Sequence, residues 1–201
     1  MRLLLILLVC LFARVAMGQT PFAEALAKHR ETYKKDLMAS AGGPLTAEAD
    51  LSYVQFYAAD STYRVTATVE RIPNAEPFEM PTYNGKTRPH VAYALLSFML
   101  QGKPQQLTLY RNLNVIRIPE YRDYLFLPFK DATSGQETYG GGRYLDLRTG
   151  DIQNGRVTLD FNKAYNPYCA FKEGYPCPIP PKNNLLTVPV EAGEKTFGKD
   201  H

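Results

Sequence analysis

Four carboxylates, Asp131, Glu137, Asp146 and Asp160, lie in one stretch from Leu127 to Pro181, together with Arg143, the run Gly140-Gly141-Gly142 and the polar, aromatic run Asn162 to Tyr168. Two carboxyls facing one cleft could hydrolyse a glycoside, one as acid and one as base or nucleophile. Carboxylate oxygens could also hold Ca²⁺ or Mg²⁺. Amides and flat rings on a loop suit a small polar or sugar-like ligand. The candidate binding set is therefore Asp131, Glu137, Arg143, Asp160, Asn162, Tyr165 and Asn166. No histidine lies between His90 and His201, so a local serine or cysteine triad is not visible. No HExxH motif is present, and the residues assign no cofactor and no metal.

Each candidate also has a structural role open to it. Three glycines followed by strand-like RYLDL make a tight turn more naturally than a phosphate cradle, which uses a helix N-terminus. Asp131, ahead of Ala-Thr-Ser-Gly, is a good turn residue. Asp160 can bond nearby loop amides with Arg143 as its counter-charge, and the tyrosines can be core.

Alternation sorts the residues that strands would have to position. In Arg143 to Arg148, Leu145 and Leu147 share one face, while Tyr144 and Asp146 share the other. In Arg156 to Asn162, Val157, Leu159 and Phe161 oppose Thr158, Asp160 and Asn162. The two segments flank Gly150, Asn154 and Gly155 and read as a hairpin. Pairing their apolar faces inward aligns Tyr144, Asp146, Thr158, Asp160 and Asn162 as a polar row, either wetted or lining a cavity.

Further out, Pro21 to Ala41 carries Phe22, Leu26, His29, Tyr33 and Leu37 at helical steps and stops at Gly42-Gly43-Pro44. Thr46 to Ala49 could start a second short helix. Tyr63 to Ile72 alternates as a strand. Phe78 to Tyr83 leads into Asn84-Gly85, a strong hairpin signal. Arg88 to Leu100 is an apolar run covered on both faces, with a buried helix as the alternative. Leu107 to Arg111 pairs back after Gln101-Gly102-Lys103-Pro104, and Tyr124 to Phe129 is apolar on both faces. Pro176 to Pro181 is extended and unable to pair inside a sheet, and Leu185 to Glu191 is an edge strand interrupted by Pro189. The fold class is mostly β, α+β: an antiparallel barrel or sandwich with one N-terminal helix packed on it.

Residues 1–18 read as a secretory signal peptide. Arg2 is the positive end, Leu3 to Phe12 the apolar run, and Ala16-Met17-Gly18 the cleavage site before Gln19. A retained membrane anchor is the competing reading, but the run is short for a stable membrane span. The expected mature chain, 19–201, is then a single exported domain, periplasmic or extracellular. Losing Arg2 and Arg14 takes the formal charge from +3 to +1, which argues against nucleic acid as a partner. Cys10 leaves with the signal. In an oxidising compartment Cys169 and Cys177 are most simply a disulfide, with a pair of thiolate metal ligands as the alternative.

The words LPFKDATSGQETYGGGRYLDL, LDFNKAYNPYCA, CPIPPKNNLL and VPVEAGEK resemble the DUF1684 family of bacterial and archaeal proteins, over roughly Gly43 to Lys195. The resemblance implies one domain of unknown function and transfers no catalytic residue. Three functions stay open on these residues: binding of a small polar or sugar-like ligand, a carboxylate-based hydrolase, and a purely structural or accessory role.

Overall fold

In the computed structural model, residues 20–38 and 43–199 are described. The expected signal peptide lies outside them. Seven strands form one antiparallel sheet: β1 (Arg64–Arg71), β2 (Phe78–Pro81), β3 (Thr87–Leu100), β4 (Lys103–Asn112), β5 (Tyr124–Phe129), β6 (Arg143–Arg148) and β7 (Arg156–Asp160). Their order is β6-β5-β4-β3-β1-β7, with β2 on the first residues of β3. The sheet curls into a half-barrel, and one helix, α1 (Pro21–Met38), packs on it. The expected second short helix is the 3-10 turn Glu48–Tyr53.

The strands form where side chains alternate and the turns where the backbone needs positive φ. Gln101 and Gly102 (φ 50° and 72°) make the two-residue turn between β3 and β4. Gly85 (φ 78°) serves the β2–β3 turn predicted at Asn84-Gly85. The apolar run in β3 is a strand, with a bulge between Ala92 and Ala94, and not a helix. β3 is covered on both faces because the inner residues Ala94, Leu96, Phe98 and Leu100 join the main core. Its outer Ala92 packs against a second cluster of Met80, Tyr110, Phe126 and Tyr144. β5 is divided the same way: Leu125, Leu127 and Phe129 face inward, Phe126 outward.

Three sequence expectations are corrected. β6 and β7 are not a hairpin. β6 pairs with β5 from Tyr124↔Arg148 to Phe129↔Arg143, and β7 pairs with β1 from Arg64↔Asp160 to Thr68↔Arg156. The 3-10 turn Thr149–Asp151 and the Gln153–Arg156 turn carry the chain from one edge of the curled sheet to the other. The second correction is Leu185 to Glu191, which forms no strand. Pro189 lacks the amide a ladder needs, and Leu186, Val188, Val190 and Ala192 instead plug the main core. The third concerns Cys169 and Cys177, which are free thiols. Cys169 Sγ donates to the Tyr175 carbonyl at 3.0 Å, and Cys177 Sγ accepts from the Cys169 amide at 3.2 Å, so each sulfur has a backbone partner while the two thiols neighbour one another unbonded. The proline-rich segment does make an edge contact: Ile179 N donates to Pro81 O, and Tyr83 N to Cys177 O.

Candidate functional site

The outer face of β5 and β6 builds the site by cross-strand register. Phe126 lies directly opposite Asp146, and Tyr124 lies diagonally from it, within reach for a long side chain. Tyr124 donates its phenol proton to Asp146 Oδ1 at 2.7 Å. Tyr165 donates to the same oxygen at 2.8 Å. Tyr165 is brought there by the chain after β7, which returns along the edge of β6: Tyr144 and Tyr165 exchange both backbone hydrogen bonds, at 2.9 and 3.1 Å. Asp146 Oδ2 carries no hydrogen bond from the described residues, and the exposed Asp146 lines a cavity of about 1040 Å³.

That cavity runs between the outer face of the sheet, α1 and the segment Tyr175 to Pro178. One wall is a continuous row of rings. His90 and Phe126 lie 5.8 Å apart, Phe126 and Tyr144 4.7 Å, Tyr144 and Tyr165 5.8 Å, and Tyr165 and Tyr33 of α1 5.9 Å. Asp146 is exposed to solvent in the cavity, and the protein packed around that cavity raises its pKa above the usual carboxylate range despite the two phenols that lower it. Burial, with Asp146 nearby, pushes Tyr124 and Tyr165 well above the ordinary phenol value, so both remain donors. His90 is wholly buried. Its Nδ1 bonds the Arg88 carbonyl at 2.9 Å, which requires the proton there, and Nε2 has no partner. Burial lowers its pKa, keeping the ring neutral.

Of the seven residues expected from sequence, Asp160 and Tyr165 line this cavity. Asp160 also accepts from Asn162 N and Nδ2, at 3.1 and 3.0 Å, capping the turn Phe161–Lys163. Asn162 is buried and tied to the Asp60 backbone. Asn166 is buried, its amide on Glu194 Oε2 at 2.7 Å and its side chain on the Lys195 carbonyl at 2.8 Å. Glu137 is exposed on the glycine loop, away from the cavity. Asp131 and Arg143 form a closed ion pair at 2.9 Å inside the fold. Arg143 also donates to the carbonyls of Val190 (2.9 Å), Ala192 (2.5 Å) and Glu194 (3.1 Å), while Asp131 Oδ1 takes Thr133 N, Thr133 Oγ1 and Val190 N. The triple glycine serves this packing. Gly142 has φ +88°, and a Cβ there would sit 2.6 Å from the Phe129 carbonyl.

Sequence reasoning missed Tyr124, His90, Tyr33 and Glu194, and weighed Asp146 only as one acid among four. The signal for Asp146 was present in Tyr144-x-Asp146 lying beside Tyr124-x-Phe126, and needed only β5 and not β7 as the partner of β6. Glu194 is fully buried. It accepts from Tyr33 at 2.7 Å, which ties α1 to the fold, and burial lifts its pKa to about 8. Among the described residues no group of three His, Cys, Asp or Glu is placed to hold a metal ion, and no helix is long and apolar enough to cross a membrane.

No curated protein matches the chain. A solution structure of an uncharacterised protein from Haloarcula marismortui is similar at 33% identity and a TM-score of 0.65, covering 88% of this chain and 97% of that one. The family described as "Protein of unknown function (DUF1684)" matches residues 49–195. With the half-barrel, the glycine turn and the Asn-Tyr loop all inside that span, the chain belongs to the DUF1684 family.

Proposed function

We propose that the cavity binds a small polar ligand and that Asp146 is the group that recognises it. One observation carries this: two phenols fix Asp146 Oδ1 while Oδ2 is left to a cavity large enough for a small molecule. Tyr165 and Asp160, expected from sequence, are part of this site; Asp131 and Arg143 serve it only by holding the fold behind it. The same proposal has the protein act after export, on the strength of the leader Met1 to Gly18. An N-terminus at Gln19 in protein recovered from outside the cytoplasm supports that part, and an intact leader in a cytoplasmic fraction sinks it.

The binding is tested by calorimetry and thermal shift with a panel of monosaccharides, polyols, amino acids and amines. At least one class gives saturable binding that Asp146→Asn abolishes at unchanged melting temperature. If all four classes fail to bind the folded protein, the reading is wrong.

The hydrolase reading keeps one foothold, since Asp146 and Asp160 line one cavity and Asp146 holds its proton above the usual range, as a general acid must. Turnover of nitrophenyl glycosides, lost in both Asp146→Asn and Asp160→Asn, is its expected outcome; binding without turnover leaves the first reading alone.

A further inference from the structure

The polar hydrogens of the ring wall are all committed. Tyr124 and Tyr165 give theirs to Asp146, Tyr144 to the Pro178 carbonyl, Tyr33 to Glu194, and His90 Nδ1 to Arg88. Each hydroxyl has one proton to donate and lone pairs that accept, so what these groups can still offer a ligand is acceptors. Asp146, whose Oδ2 takes no hydrogen bond from the described residues, adds the strongest, whereas the unpartnered His90 Nε2 is sealed beneath the wall. Phenols that keep a free edge to water, Tyr121 (42% exposed) and Tyr168 (36%), stand at the rim.

A wall of this kind selects the ligand's hydrogen-bonding character. On this wall a carboxylate or phosphate would meet lone pairs and a carboxyl group, the cations Arg64 and Lys163 standing elsewhere on the cavity. A polyol would have its donors accepted, while its own acceptors would find no donor on this wall. A protonated amine has donors only and no lone pair to satisfy. Aromatic faces also attract cations through their quadrupole. The formal charge around the cavity agrees: Asp36, Asp146, Asp151 and Asp160 line it against Arg64 and Lys163.

We propose that the ligand is a primary amine, bound as the ammonium, with its nitrogen on Asp146 Oδ2 and its carbon chain along the rings of Phe126, Tyr144 and Tyr165. This rests on the cavity being a ligand site. Arg64 and Lys163 make no ion pair among the described residues and lie on the same cavity, which leaves room for an acidic group elsewhere on the amine.

The test is a titration of the purified protein, with its tyrosine rings isotope-labelled, against butylammonium, butanol, butyrate and glucose. Saturable shifts of the Tyr124 and Tyr165 ring signals are expected with butylammonium, with affinity at least tenfold above butanol and no response to butyrate. Asp146→Asn should weaken butylammonium at least tenfold, whereas Tyr121→Phe at the rim should not. Should Asp146→Asn fail to fold, the wild-type ranking decides by itself. Butanol binding as well as butylammonium overturns the amine assignment. Glucose binding where butylammonium does not overturns the amine and leaves the polar-ligand reading standing. Silence from all four probes and from the wider panel removes both.

Discussion

Asp131 and Asp146 are the same side chain in opposite situations. Asp131 has both oxygens held: Arg143 holds one, and two amides and a hydroxyl hold the other. Asp146 has one oxygen bound by two phenols and the other open to a cavity. The first is closed and the second half-closed. A carboxylate that brackets a glycine-rich loop with an arginine looks more like chemistry in a sequence than one between two leucines. In the fold the conspicuous acid is a lock and the inconspicuous one faces the void. What separates them is whether other parts of the chain arrive to complete the hydrogen bonding.

Breaking the lock should give the largest effect. Arg143→Met leaves Asp131 buried without its counter-charge and strands the carbonyls of Val190, Ala192 and Glu194. Loss of one partner of a buried ion pair costs about 3–5 kcal/mol. Chemical denaturation should show that loss, whereas Asp146→Asn should cost under about 1 kcal/mol. Equal costs for the two would erase the distinction between lock and site.

Glu194 is an intermediate case, buried like Asp131 but with Oε1 unpaired. Its folded pKa, raised to about 8 chiefly by desolvation, lies above its ordinary value, so the native state binds the proton more tightly than the unfolded chain. Stability is then full below the ordinary carboxylate pKa and falls as pH rises toward 8. Glu194→Gln mimics the protonated acid and should flatten this decline, by on the order of 5 kcal/mol. Parallel melting curves of the two proteins against pH would sink the assignment.

Sharpening the open site needs smaller changes. Tyr124→Phe and Tyr165→Phe each remove one hydrogen bond to Asp146, worth about 1–1.5 kcal/mol. Both phenols favour the ionised carboxylate, so either substitution should move the Asp146 titration further upward by carbon-detected NMR. If the amine assignment holds, butylammonium affinity falls up to tenfold per pH unit below the Asp146 titration and levels off above it.

The smallest effect concerns the thiols. Cys169 and Cys177 should both alkylate in denaturant without reductant. In the native protein Cys177, whose pKa burial raises to about 12, should react far more slowly than a free thiol.

The strands were legible because their signals are local. β1 alternates, β3 and β5 are apolar on both sides, and the turns at Asn84-Gly85 and Gln101-Gly102 have residues that tolerate positive φ. Pairing was less legible. β6 and β7 are adjacent in sequence and look like a hairpin, but each finds its ladder elsewhere, β6 with β5 and β7 with β1. That one choice decided the site, because Asp146 meets Tyr124 only across the β5–β6 register. Leu185 to Glu191 was misjudged for a related reason. Its alternation is real, but the partner that buries it is the inside of the half-barrel and not another strand.

The cage around Arg143 has a further consequence for how the chain is made. Its acceptors at Val190, Ala192 and Glu194 follow it by 47, 49 and 51 residues. As the chain emerges in order, β5 and β6 can pair well before those carbonyls exist. Until then the guanidinium has only Asp131 to meet and an interior with a gap where Val188 and Val190 belong. Closing so long a loop is entropically slow and is rewarded only when it is complete. The sheet can therefore assemble as it is synthesised, but its interior cannot seal until the segment through Glu194 has docked, and a nascent chain arrested before that point would hold a sheet around an unfilled, charged centre.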